Sequence, residues 1–77
     1  MPHVIVKLYS GRTDQQKTRL AELVTKAIME GASCGEAAVS VAIEDVAPDD
    51  WGDKVYKPDI AAKQDKLYKK PGYSPPG

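Results

Sequence analysis

The chain has 77 residues, with eleven basic residues, eleven acidic residues, one histidine and one cysteine. A chain of this length forms one domain at most, and much of its apolar surface is hard to bury without a disulfide, a metal or a partner. The single Cys34 excludes an internal disulfide, no Cys/His cluster could hold a structural zinc, and the balanced charge gives no long-range attraction for nucleic acid or a membrane surface.

The first predicted element is a strand over residues 2–9, which read PHVIVKLY. The run is rich in β-branched and aromatic side chains that alternate between two faces. Val4, Val6 and Leu8 share one face. The other face, which begins with His3, is half apolar, so we expect a strand that is covered on both sides.

A helix is predicted to follow the break at Ser10 and Gly11. Thr13 to Gln16 has the T-x-x-Q form in which two side chains satisfy free backbone amides at a helix start. Apolar residues then recur at helical spacing: Leu20, Leu23, Val24, Ala27 and Ile28. Gly31 is a typical left-handed stop, so the helix should end near Glu30.

A second strand is predicted over residues 39–46, VSVAIEDV, after a loop that holds Cys34. A strand, a helix and a second strand form a β-α-β unit, whose strands are parallel and whose crossover is right-handed. Residues 2–46 therefore predict an α/β (α+β) fold with a parallel two-stranded unit.

The remainder of the chain is predicted to be a turn, a short helix and a tail within the same single domain of residues 1–77. Residues 48–50 mark the turn, residues 51–57 are expected to be irregular, and Pro58 precedes the short C-terminal helix, which reaches residue 70. The tail, residues 71–77, reads PGYSPPG and cannot be helical. It is either an extended arm that packs on a neighbour or a frayed end.

The predicted sheet has unpaired edges and one bare face. Two copies would make a four-stranded sheet with two helices on one face, so we expect a homodimer or a multiple of one. The longest apolar run is only a few residues, which predicts no membrane span and no signal core. A cytoplasmic protein is therefore expected.

Pro2 directly follows Met1, and the processing aminopeptidase removes an initiator Met only when the next side chain is small, as that of proline is. The product is a secondary amine on a rigid ring, with an unperturbed pKa of about 8. Burial in an apolar pocket beside a cation would lower this pKa toward neutrality, where a general base works best. The alternative is that Pro2 only permits Met removal or begins an edge strand.

Two segments resemble a known family over nearly the whole chain. PHVIVKLYSGRTDQQK resembles the start of the 4-oxalocrotonate tautomerase family, in which a proline strand is followed by G-R-[ST]-D-x-Q-K. SVAIEDVAPDDW and the distal KKPGY are similar to the longer, dimeric, PptA-type branch of that family. The resemblance implies the β-α-β tautomerase fold, an assembly of identical subunits and no cofactor.

The resemblance also implies an isomerase in which Pro2 is both general base and general acid. It would carry a proton between oxygen and carbon of a 2-hydroxy-enoate or an aryl enolpyruvate, giving the 2-keto acid without a metal. Arg12 holds the family position of a carboxylate-binding arginine, which can clamp a carboxylate with two hydrogen bonds. The alternative is an exposed arginine that is paired with Asp14 or another carboxylate. Trp51 matches the aromatic position over the proline, which is compatible with a core or interface anchor.

Ser40 departs from the hexameric tautomerases, which carry a catalytic arginine at this position. A hydroxyl can hydrogen-bond a substrate oxygen but cannot neutralise an enolate. A monocarboxylic small-molecule substrate therefore fits better than the dicarboxylate 2-hydroxymuconate. The dimeric branch lacks this arginine as well, and a dimer is favoured over a hexamer.

Two other functions stay open. A dehalogenase of the same superfamily would need a water-activating carboxylate and usually two arginines, of which only Arg12 is present. A non-catalytic dimeric binding scaffold follows if Met1 is retained, because the Pro2 nitrogen is then a tertiary amide. His3 is interpreted as a surface or interface residue, and Cys34 as a loop residue rather than a nucleophile.

Overall fold

The β-α-β unit predicted from the sequence is present in the computed structural model, which describes residues 1–75. Strand β1 spans His3–Tyr9, helix α1 spans Asp14–Ala32, and strand β2 spans Ser40–Val46. The strands are parallel neighbours in a two-stranded sheet. The predicted fold class is therefore confirmed, and each strand begins one residue later than predicted.

Helix α1 begins as its sequence predicts. Thr13 Oγ1 accepts the N–H of Gln16 at 3.1 Å, and Gln16 Oε1 accepts the N–H of Thr13 at 2.9 Å. This reciprocal capping box satisfies two amides that the helix leaves unpaired. Gly11 precedes it with φ of +123°, a backbone conformation open to glycine and strained for other residues.

The face that α1 packs inward differs from the predicted one. Leu20, Val24 and Ile28 are half-buried as expected, but Leu23 keeps 47% of its surface exposed. Ala21 and Met29, which the apolar pattern did not single out, are half-buried instead. The inward face of α1 is therefore shifted from the predicted one. It includes the small Ala21 and the flexible Met29, whereas Leu23 lies on the outer surface.

The stop of α1 is Ser33 rather than the predicted Gly31. Ser33 has φ of +54° and ψ of +55°, and its N–H donates to the carbonyl of Met29. Gly31 stays helical, because the good helix former Ala32 extends the final turn past it. The N–H of Cys34 also donates to Met29 O at 3.2 Å, which completes the cap.

An ion pair ties α1 to β2. Lys17 Nζ lies 2.8 Å from Asp45 Oδ2 and 3.7 Å from Asp14 Oδ1, and 23% of its side chain is exposed. The hydrogen bond to Asp45 and the negative charges of both carboxylates raise the pKa of Lys17 above its ordinary value. The pair holds the first turn of the helix against the last residues of the strand.

The second compact unit begins at Val46 and is helical earlier than predicted. A 3₁₀ turn at Pro48–Asp50 is followed by a π-helix at Gly52–Ile60 and a 3₁₀ helix at Ala61–Lys66. The expectation of irregular structure over residues 51–57 is therefore wrong, and the helical region ends at Lys66 instead of residue 70.

Two causes explain the early helix. Val55 is 5% exposed, so this turn is anchored by an apolar side chain. Three Asp–Lys pairs four residues apart also support it, at Asp50–Lys54 (3.3 Å), Asp53–Lys57 (2.8 Å) and Asp59–Lys63 (3.9 Å). The hydrogen bond from Lys57 and its positive charge lower the pKa of Asp53.

The tail has no regular structure over residues 71–75, and the last two residues of the predicted arm lie outside the described part of the chain. Tyr73 packs against its own unit, as described below. Within residues 1–75, none of the helices combines the length and the apolar character needed to cross a membrane.

Candidate active site

Pro2 lies at the head of the sheet, immediately before β1. Its carbonyl accepts the backbone N–H of Ser40 at 3.2 Å, so the first residue of β2 fixes the position of the proline. The ring is half-buried. A proline cannot donate a ladder hydrogen bond, which explains why β1 starts at the next residue.

His3 and Ser40 form a side-chain pair across the two strands. The Nδ1 of His3 lies 2.6 Å from Ser40 Oγ. Both side chains are exposed, and they share the face of the sheet opposite Val41 and Ile43, which line a surface pocket with residues of α1. The expectation that His3 is a surface residue agrees with its exposure, but its hydrogen bond to Ser40 was not foreseen.

Arg12 projects from the turn between β1 and α1. It is exposed, and its Nη1 donates to the carbonyl of Tyr9 at 3.2 Å. Among residues 1–75, the structure pairs Asp14 with Lys17 and gives Arg12 no carboxylate partner. The surface pair with Asp14 considered above is therefore absent from the described residues, and the guanidinium can meet an anionic ligand.

Trp51 lies in the second unit, at the residue before the π-helix. Its indole N–H donates to the hydroxyl of Tyr73 at 3.0 Å. The ring of Tyr73 also packs on that of Tyr56, with the centroids 5.9 Å apart and the planes tilted by 59°. Sequence reasoning missed Tyr73, although the K-K-P-G-Y segment that contains it contributed to the resemblance.

Cys34 is half-buried at the end of α1, where its Sγ lies 4.0 Å from the carbonyl oxygen of Ile28. A thiolate is activated by a nearby cation or base, and no contact of this kind is made by Cys34 in the described residues. The interpretation of Cys34 as a loop residue rather than a nucleophile therefore remains a prediction.

A surface groove of about 430 Å³ runs along α1 and is lined by Thr18, Ala21, Glu22, Thr25, Lys26, Met29 and Glu36. Its lining contains carboxylates, an ammonium and a thioether, but none of the four predicted site residues. Size alone therefore does not identify the site, whereas Pro2, Arg12 and Ser40 lie on the first unit at or near the ends of its strands.

Known proteins are similar to this chain in both sequence and fold. A family model described as "Tautomerase enzyme" matches residues 2–55, a span that includes all four predicted site residues. The "Probable tautomerase" of Xylella fastidiosa is 44% identical over 80 residues, covering 99% of this chain and 98% of that protein. The "Tautomerase PptA" of Klebsiella pneumoniae strain 342 is 44% identical over 75 residues, covering 96% and 99% respectively.

The fold of the chain also matches that of a solved structure. The crystal structure of YwhB, a homologue of 4-oxalocrotonate tautomerase, superposes with a TM-score of 0.60 at 44% identity. The match covers 62% of this chain and 79% of that one.

Proposed function

The chain belongs to the tautomerase enzyme family, and from this premise we propose that it converts a 2-hydroxy-enoate or an aryl enolpyruvate to the 2-keto acid with Pro2 as the proton carrier. Family membership makes the protein an isomerase of the tautomerase kind. The proposal adds the substrate class and the base.

The proposed reaction moves one proton and needs no redox partner. After Met1 is cleaved, the neutral Pro2 nitrogen takes the hydroxyl proton of the enol, which leaves an enolate and a pyrrolidinium. The pyrrolidinium then returns a proton to the carbon next to the oxygen-bearing one, so the C=C bond becomes a single bond, the C–O bond becomes C=O, and the neutral amine is regenerated. A general base of this kind contributes about 100- to 10,000-fold to a rate.

The observation that best supports Pro2 is its fixed position. A hydrogen bond of 3.2 Å from the N–H of Ser40 to the Pro2 carbonyl attaches this residue to the sheet and restrains its motion. Pre-organisation of this kind lowers the entropic cost of reaching a reactive geometry.

The other residues have assigned parts in the proposal. Arg12 binds the substrate carboxylate, which its exposed guanidinium can reach without first breaking an ion pair. Ser40 offers a hydroxyl to a substrate oxygen, and it would do so as a member of the His3–Ser40 pair. Trp51 is proposed as the aromatic wall that excludes water.

The proposed assembly is a homodimer. Members of the family form oligomers and act on small molecules. In the described residues both strands have one neighbour only, so each presents an unpaired edge. Pairing two copies would give a four-stranded sheet. We place the enzyme in the cytoplasm, a reducing compartment that suits the unpaired Cys34.

Blocking the nitrogen without changing the ring tests the proposal most directly. An uncleavable N-terminal extension turns the Pro2 nitrogen into an amide and should abolish ketonisation of phenylenolpyruvate. Pro2→Ala should lower kcat/KM by about 100-fold or more, whereas Pro48→Ala, on an exposed turn, should not. Intact mass must show that Met1 is absent from the active protein. Full activity of the extended chain would overturn Pro2 as the base.

A further inference from the structure

We propose that Tyr73 is a positioning residue that fixes the indole ring of Trp51, with residues 71–75 acting as a strap on the second unit. This inference deepens the proposed function, because its effect on catalysis rests on the role given to Trp51. The hydrogen bond and the ring contact that carry it lie wholly within the second unit.

Tyr73 makes two different contacts at once. Its hydroxyl oxygen lies 3.0 Å from Trp51 Nε1, and its ring packs on Tyr56 at a centroid distance of 5.9 Å. An indole N–H is a donor only, so the phenol oxygen must be the acceptor. The ring contact fixes where that oxygen lies, and the hydrogen bond then fixes the rotation of the indole.

The π-helix explains how one tyrosine can reach both side chains. Trp51 and Tyr56 are five residues apart, and in an α-helix such residues point about 140° away from each other. A π-helix closes i→i+5 hydrogen bonds and winds more widely, which brings positions five apart closer to one face. The unusual helix over Gly52–Ile60 therefore has a side-chain consequence: it presents Trp51 and Tyr56 together to the strap.

The strap changes what the tryptophan can offer to a substrate. Its single N–H already donates to Tyr73, so the indole contributes its apolar ring rather than a hydrogen bond. The proton of the Tyr73 hydroxyl is not used in that bond. The polar group that this pair presents is therefore the phenol, which is 49% exposed as a residue.

Tyr73→Phe tests the strap because it removes the hydroxyl and keeps the ring on Tyr56. Trp51 is the one tryptophan of the sequence, so its fluorescence reports the indole alone. We expect lower anisotropy and stronger acrylamide quenching, together with a fall in kcat for phenylenolpyruvate of about two- to tenfold. Tyr68→Phe is the matched control, since Tyr68 is 103% exposed and should change neither quantity.

The possible outcomes distinguish a failure of the strap proposal from a failure of the proposed reaction. Unchanged fluorescence in Tyr73→Phe would overturn the strap. Changed fluorescence with unchanged kcat would overturn its part in catalysis. Retained activity in the N-terminally extended chain would instead remove Pro2 as the base, while the fluorescence comparison would still measure the strap. Circular dichroism of both variants checks that the fold is intact.

Discussion

The imidazole of His3 and the hydroxyl of Ser40 meet at 2.6 Å across the first positions of the two strands. The backbone N–H of the same serine holds Pro2 at 3.2 Å. Ser40 thus joins the residue proposed as the base to the single histidine of the chain. Ser40, which holds the position expected from the resemblance to carry an arginine in hexameric tautomerases, is here a hydroxyl paired with an imidazole.

Ser40→Arg is expected to change substrate preference. A guanidinium would add a charge that a hydroxyl lacks, so activity on a dicarboxylate such as 2-hydroxymuconate should rise relative to phenylenolpyruvate. A hydrogen bond to a charged group predicts a gain of about 10-fold in the ratio of the two kcat/KM values. Ser40→Met supplies similar bulk without charge, and an equal gain in that variant would refute the electrostatic explanation.

Arg12→Ala is expected to raise KM by about 10-fold or more, because a charged hydrogen bond to the substrate carboxylate is lost. The KM of Arg12→Lys should lie between those of wild type and Arg12→Ala, because lysine keeps the charge but cannot form two parallel hydrogen bonds to the carboxylate. Arg19→Ala is the control: Arg19 is on α1, 60% exposed, and paired with Glu22 at 3.3 Å. Steady-state kinetics that change equally in both alanine variants would contradict a binding role for Arg12.

Substitutions of Gly11 and Gly31 should have opposite effects on stability. Gly11→Ala places a Cβ at φ of +123° and should lower the free energy of unfolding by at least about 1 kcal/mol. Gly31→Ala lies in the helix, where the new Cβ meets no atom within 4 Å, and should raise that free energy by about 0.5–1 kcal/mol. Urea titration at fixed protein concentration measures both free energies. A loss of stability in Gly31→Ala would contradict the prediction that alanine is favoured at this helical position.

The Lys17–Asp45 pair should contribute to thermal stability in a manner that depends on pH. Because the pKa of Lys17 is raised above 10.5 in the folded chain, the contribution is complete below 10.5 and disappears as the pH rises through the folded-state value. Lys17→Met should therefore lower Tm at neutral pH, and the difference from wild type should shrink at strongly alkaline pH and in high salt. Lys26→Met changes an exposed lysine of the same helix, and an equal loss there would point to general charge effects.

The sequence was sufficient for the β-α-β unit because its signals are local. Alternation in residues 2–9 and the T-x-x-Q box at Thr13 each dictate structure within a few residues, and both predictions are confirmed. The helix end was misplaced because Gly31 permits a left-handed conformation without requiring one. Ser33 adopts it instead, a choice that depends on the cap hydrogen bonds to Met29.

The second unit was harder to predict for a physical reason. A π-helix of nine residues is too short to show its wider period in the apolar pattern, and Pro58 is typical of a helix start, whereas here it lies inside a helix. The signal that was present lay in the charges, since Asp50, Asp53 and Asp59 each precede a lysine by four residues. The contacts of His3 and Tyr73 join residues distant in sequence, and no local pattern records them.

The scarcity of buried apolar side chains has a consequence for the cell. Among residues 1–75, the hydrophobic side chains that are buried are Val46 and Val55, and the sheet has two strands. The proposed homodimer would supply the burial that so small a core lacks, and its stability would then follow mass action. Near the dissociation constant, halving the amount of protein would remove more than half of the assembled enzyme. Activity would then appear only above a certain expression level. Dilution alone would lower the activity per chain, without any change in the sequence.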